Sequence, residues 1–278
     1  MSYFRIFPKT SYTYNQSGDT KIATDILKRF TFKDELKNNG DLVVRYRMKD
    51  GETVYDLANR LYGSPDYYWI LYLMNDITSP YDDLPKSQPE LTLYIDSKYP
   101  GNALFMNVNA EPTNIRAFEG DFIEGETVYA ATNTVNGNEE VLIPLEYRAV
   151  VREWDGNYRK LVVQGETKIQ QLSKNVRIVG ETSGARASFQ RRILNKLAVN
   201  RFEDLFGNSI SHLPSSLLGM TSNNPLNSYI QQSEMADVLA ITNLQHEEKL
   251  NDRKSLIKIL RVEYAQQVIK DSSRIFEK

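Results

Sequence analysis

Residues Tyr46 to Ile77, YRMKDGETVYDLANRLYGSPDYYWILYLMNDI, decide the fold, because several kinds of signal agree there on a strand, a turn and two helices. Asp50-Gly51 closes a turn after the alternating run Leu42 to Met48. Thr53 followed three positions later by Asp56 has capping-box spacing, and Val54, Leu57, Ala58 and Leu61 then share one helical face. Gly63 suits the left-handed residue that ends this helix, Ser64 caps the next, and Pro65 takes its first position, where the missing N–H costs nothing. The second helix carries Trp69, Ile70, Leu73 and Met74 and stops at Asn75. Helices of about 12 residues are marginal alone, so their apolar faces need a third surface, which the flanking strand supplies.

Working outward, the loop after Ile77 is stiffened by prolines and acidic at Asp82 and Asp83, a pair too poor in further oxygen ligands for a calcium site. Ser87 and Glu90 repeat the capping-box spacing and launch a third helix with Leu91, Tyr94, Ile95 and Tyr99 inward, ended by Pro100-Gly101. Ala103 to Val108 is the expected second strand, pairing with Leu42 to Met48. On the N-terminal side, Ile22, Ile26, Leu27 and Phe30 give a short helical stripe. Before it, MSYFRIFPKTSYTYNQSG has no signal-peptide core and reads as a retained arm, denied a long regular element by Pro8 and Gly18. Its aromatic residues pack on their own domain or insert into a neighbouring subunit.

From Phe118 to Phe189 the helical period gives way to short β-rich runs, with hairpin signals at Asn136-Gly137 and Asp155-Gly156. About six short strands in that length predict a small closed barrel or sandwich, because closure removes exposed edges. GETVY occurs at Gly51 and again at Gly125, but no helical face follows the second copy, so the repetition is one of turn chemistry. The stretch GETSGA at Gly180 lacks the lysine and following helix of a phosphate cradle and reads as a turn. Beyond Gln190, RFEDLFGNSI predicts a strand, a turn at Gly207-Asn208 and a strand start, followed by a polar linker. Asn243 is the expected cap of a charged helix. After the apolar run Leu256 to Leu260, a last helix carries Ala265, Val268, Ile269, Ser272, Ile275 and Phe276 on a three-four repeat, which closes on its own domain or docks on a partner.

The chain has 278 residues, a net charge of -2, no cysteine and two histidines, His212 and His246. Two or three domains follow from the length, and the balance of charge gives no basic field for nucleic acid. No run of about 18 apolar residues exists to span a membrane. The missing cysteines fit a reducing compartment or an assembly that does not rely on disulfides, and exclude thiol catalysis. Neither histidine has metal-ligand or nucleophile-base spacing, and the adjacent carboxylates Glu139-Glu140 and Glu247-Glu248 diverge instead of facing each other as a glycosidase pair. No catalytic, metal or cofactor residues are expected.

DGETVYDLA, LYG and YWILYLMN resemble the lysin motif, a small β-α-α-β module of cell-wall-binding proteins. With TDILKRF upstream and ITNLQHEEKLNDRKSLIKILRVEYAQQVI downstream, the chain is similar to the baseplate wedge proteins of contractile-tailed (T4-like) bacteriophages that carry a lysin-motif-like domain. The resemblance implies an α+β fold. An N-terminal arm and short helix occupy 1–35, a lysin-motif-like domain 36–112, an inserted small β-domain 113–190, an irregular linker 191–232 and a helical C-terminal docking segment 233–278. It also implies a non-enzymatic virion protein that clamps adjacent wedges to each other and to hub and tail-tube proteins, in six-fold copies, assembled in the host cytoplasm. No nucleic acid, membrane or small-molecule substrate is expected. The partner-binding residues would be Tyr67, Tyr68, Tyr72, Tyr81, Phe4, Phe7, Val268, Ile269, Ile275 and Phe276. The alternative is a peptidoglycan-binding module, in which Tyr67, Tyr68 and Trp69 stack on N-acetylated sugars; Trp69 could equally be core.

Overall fold

A computed structural model describes residues 7–13, 18–25, 31–106, 118–136, 139–156, 160–165, 176–210 and 238–272. Phe4, Ile26, Leu27, Phe30, His212, Ile275, Phe276 and the linker beyond 210 lie outside the described residues. The first part of the chain forms β1 (Lys9–Thr13), β2 (Thr20–Thr24), α1 (Asp34–Lys37), β3 (Val43–Arg47), α2 (Val54–Tyr62), a single 3-10 turn (Pro65–Tyr67), α3 (Tyr68–Met74), α4 (Pro80–Asp83) and α5 (Gln88–Lys98). The middle forms β4 (Asn102–Met106), β5 (Phe118–Glu119), β6 (Thr127–Asn136), β7 (Glu139–Asp155), β8 (Lys160–Gly165), β9 (Val176–Gly180) and β10 (Arg186–Leu194). Then come β11 (Val199–Asp204), β12 (Ser209–Ile210), β13 (Val238–Thr242), α6 (Asn243–Ser255), β14 (Leu256–Leu260) and α7 (Val262–Ser272). Two compact units result, Met1–Thr92 with Glu248–Lys278, and Leu93–Glu247, so the chain leaves the first unit within α5 and returns within α6.

In the first unit the local signals act as their chemistry dictates. The Thr53 side chain accepts the Asp56 N–H, Gly63 is left-handed at φ 81, and the Ser64 side chain accepts the Asp66 N–H. Val54, Leu57, Ala58, Trp69, Ile70, Leu71 and Met74 form one buried cluster, with Leu61 and Leu73 only partly covered. The surface closing this cluster is not the one expected. β3 pairs antiparallel with β14, from Leu256 opposite Arg47 to Leu260 opposite Val43, and Ile257, Ile259 and Leu260 enter the cluster. The described part of the 103–108 run, in β4, pairs instead within the second unit, which moves the expected boundary at 112 to before Asn102. Burial explains the choice: Ala103, Leu104 and Phe105 are buried in succession, as in a strand covered on both faces, while β14 is covered on one face and partly open on the other.

α7 packs Ala265 into the same cluster with Val268 and Ile269 against it, so the described part of the last helix closes on its own unit. The segment expected to be helical from 233 thus also contributes two strands. The N-terminal arm is regular after all: β1 and β2 form an antiparallel hairpin, and Ile22, placed in a helical stripe from sequence, sits 74% exposed on a strand. Thr10, Thr13, Thr20 and Thr24 favour extended backbone and override the weak helical period.

Asn75 does more than stop α3. Its Nδ2 donates to the carbonyls of Leu71 and Lys258, both at 2.8 Å, and its Oδ1 accepts the Lys258 N–H at 2.6 Å. It therefore seals the outer edge of β14, and Tyr62 seals that edge further along by donating to the Leu260 carbonyl at 3.0 Å. Replacing Asn75 with Ala leaves both Lys258 backbone groups unpaired, so about 2 kcal/mol of stability should be lost. Urea unfolding measures this, and an unchanged midpoint would remove the role.

The second unit is a strand ladder that returns to its start. Its order is β4-β8-β7-β6-β9-β10, β10 pairs with β4, and β5 extends β10 beyond that junction. Interior residues follow the period of two that a barrel requires: Val128 and Ala130, Ala149 and Val151, Leu161 and Val163, Ala187 and Phe189. Register shifts at Tyr129/Ala131 and Val151/Glu153 bend the long β7, and Pro144 sits where the first shift breaks the ladder. β11, β12 and β13 form a second, smaller sheet: the strand, Gly207 turn and strand start expected over RFEDLFGNSI are in place, although the linker bounds set at 191–232 took in these residues. Two further expectations change. The cap of α6 is Thr242, which exchanges hydrogen bonds with Gln245, while the Asn243 side chain donates to the Asn195 carbonyl. In α5, Leu91 and Ile95 are buried but Tyr94 stays 37% exposed.

The two GETVY copies build the same turn. Gly51 and Gly125 both have positive φ, at 71 and 87, which glycine adopts without strain. Glu52 and Glu126 each accept the backbone N–H three residues back, from Lys49 at 3.0 Å and Ile123 at 2.7 Å. Glu126 also accepts the N–H groups of Thr182 and Ser183 and the Ser183 hydroxyl, so it fastens the GETSGA turn as well.

Candidate partner-binding face

α2 and α3 turn their apolar stripes to the shared core, which leaves aromatic residues at intervening positions to face outward. The Tyr55 and Tyr68 rings meet at a tilt with centroids 4.9 Å apart, and Tyr68 meets Tyr72 edge-on at 5.1 Å. Tyr55 is 48% exposed, and Tyr68 and Tyr72 are half-buried. Burial raises the hydroxyl pKa of Tyr68, with Tyr55 and Asp66 adding to the effect. Burial likewise raises that of Tyr72, supported by Tyr55 and Tyr68. Tyr68 and Tyr72 thus hold their hydroxyl protons more firmly than ordinary tyrosines.

Of the residues expected to bind partners, Tyr68 and Tyr72 are brought together and Tyr67 lies half-buried beside the core. Tyr81 is 87% exposed on α4 and shares no ring contact with the cluster. Phe7 is buried, and Val268 and Ile269 lie against their own core. Trp69 is core, at 3% exposure. Sequence reasoning missed Tyr55, whose signal was its place off the Val54-Leu57-Ala58 face and next to a tyrosine-rich second helix.

Elsewhere the chemistry is structural. His246, read as a surface residue, is half-buried with its Nδ1 2.7 Å from Arg201 Nη1, and its pKa is lowered by burial and by that guanidinium. Around it, Lys98 pairs with Glu247 at 2.8 Å, Arg201 pairs with Glu203 at 2.6 Å, and the Tyr99 hydroxyl donates to Glu247 at 2.7 Å. Each charge has its counter-charge, which leaves nothing over for a substrate. Among the described residues no group of three or more His, Cys, Asp or Glu side chains could hold a metal ion, and no helix is long and apolar enough to cross a membrane.

The strand and helix pair of the first unit thus present an outward aromatic patch. In comparison with known proteins, residues 2–100 match the family described as base plate wedge protein 53. The match covers β1 through α5 and ends before the barrel. The chain is also 34% identical over 83 residues to the baseplate wedge protein gp53 of Enterobacteria phage T4. The aligned stretch is 28% of this chain and 41% of that relative, so the chain covers less than half the relative's length.

Proposed function

We propose that this chain is a non-enzymatic structural component of a contractile phage tail baseplate wedge. In this reading its first unit is a lysin-motif-like domain turned from glycan to protein contact. It clamps adjacent wedges to one another and to hub and tail-tube proteins around a six-fold ring, in a virion assembled in the host cytoplasm, without nucleic acid, membrane or small-molecule substrate. The supporting observation is that the stretch matching base plate wedge protein 53 is the one presenting the Tyr55–Tyr68–Tyr72 patch. Tyrosine concentrates at protein interfaces because it supplies large contact area at low entropic cost.

Replacing Tyr68 and Tyr72 together with Ala is expected to weaken co-assembly with other tail proteins by about tenfold or more, read on the fraction still folded because both rings also pack against the core. Co-sedimentation of reconstituted wedges measures it, and undiminished assembly would exclude the patch. The same exposed rings favour one other reading, sugar stacking on peptidoglycan. Retention of the wild-type chain on purified sacculi, lost in the double variant, would select that reading.

A further inference from the structure

The β3–β14 ribbon has two outer edges, and they are treated differently. In the ladder, Met48 donates to Ser255 and Arg261 donates to Leu42, so even-numbered residues of β3 bond inward to β14 and odd-numbered ones point away. On β14 the outward groups are occupied at Lys258 by Asn75 and at Leu260 by Tyr62. On β3 the Val43 N–H is taken by the Asn39 carbonyl and the Lys49 N–H by Glu52. Between them, Arg45 and Arg47 each keep an outward N–H and an outward carbonyl, and no backbone partner for these exists among the described residues.

The side chains beside this window share one sign. Arg45, Arg47 and Lys49 are exposed, fall on one face of the strand by the period of two, and have no ion-pair partner among the described residues. Antiparallel pairing of two copies through this edge is disfavoured, because it would set arginine against arginine. The same charges would draw an extended segment with carboxylates at alternate positions, whose side chains lie next to Arg45 and Arg47 while its backbone completes the four open hydrogen bonds.

We propose that the outer edge of β3 is a strand-addition site for an extended, acidic segment of a partner protein added antiparallel, with Arg45 and Arg47 supplying both the backbone register and the charge selection. The site is separate from the tyrosine patch and does not depend on the assembly reading.

The test uses the full chain and a capped hexapeptide of alternating Glu and Val, titrated at low salt and followed by amide NMR. For a strand added antiparallel, as β14 is on the other edge, geometry makes a sharp demand: a residue opposite Arg45 shares its face and turns its own N–H toward β3, so the Glu amides form the new ladder. Methylating the Glu amide nitrogens should weaken binding about tenfold or more, whereas methylating the Val amide nitrogens should change it less than about twofold. A Lys-Val peptide should not bind. On the protein side, Arg45→Pro removes one outward N–H without touching the bonds to β14, and should also weaken binding. Should that variant fail to fold, the methylated peptides decide alone. Equal affinity of the two methylated peptides, binding by the Lys-Val peptide, or no saturable shift of the Arg45 and Arg47 amides with the parent peptide would each overturn the proposal.

Discussion

Removing Leu256–Lys278 is expected to unfold the first unit while the barrel persists. β3 has β14 as its pairing partner, and Ile257, Ile259, Leu260 and Ala265 sit in the cluster built by α2 and α3. Deleting a buried Ile or Leu side chain costs about 2–5 kcal/mol, so losing three of them, with a whole strand, removes about as much as the 5–15 kcal/mol by which a domain is stable. Tryptophan emission checks this directly. Trp69 is buried in the first unit and Trp154 belongs to the second, so in a Trp154→Phe background the truncated chain should show a solvent-exposed spectrum. Blue-shifted emission from the truncated chain would show that the helix pair stands without its strand.

The second large effect lies in the barrel. Glu126→Ala removes one carboxylate that accepts from the backbone of Ile123, Thr182 and Ser183 and from the Ser183 hydroxyl. Bonds to a charged acceptor are worth about 1.5–3 kcal/mol each and donors left half-buried add their own penalty, so a loss of about 3 kcal/mol or more is expected. The effect carries a pH signature. Burial alone would raise the pKa of Glu126, but the N–H groups of Ile123 and Ser183, the Ser183 hydroxyl and the Thr182 N–H outweigh it and hold the carboxyl below its usual range. A depressed folded value means that the stabilisation is present above the unfolded pKa of about 4.3 and is lost as pH falls through the folded one. The gap in unfolding free energy between wild type and variant should therefore be constant near neutrality and shrink in acid. A gap that widens on acidification would reverse the assignment.

What could be read from the sequence was whatever is decided within a few residues. The Thr53 cap, the left-handed Gly63 and the Ser87–Glu90 box are local exchanges of hydrogen bonds, and each sits where its spacing puts it. The repeated GETVY likewise proved to be one turn used twice. Partner choice between strands was not legible. ALFMNV and LIKIL are both short apolar runs, and nothing in either names the strand it joins. What distinguishes them is Asn75, which reads as a helix stop but whose amide matches the Lys258 backbone. The candidate face was half legible: crowded tyrosines on the second helix drew notice, while Tyr55 came into play only through the packing of one helix on another. Val268 and Ile269 were ambiguous because an apolar stripe looks the same whether it covers its own core or another's.

Tyr62 and Leu260, hydrogen-bonded across the ribbon's edge, are 198 positions apart. Loop closure over such a span is slow compared with forming a hairpin, and a polypeptide made from one end can close it only after position 260 has emerged from the ribosome. The barrel strands, complete by Leu194, are available much earlier. The tyrosine-bearing surface therefore matures late during synthesis, because the strand that completes its unit emerges only when nearly all of the described sequence has been translated.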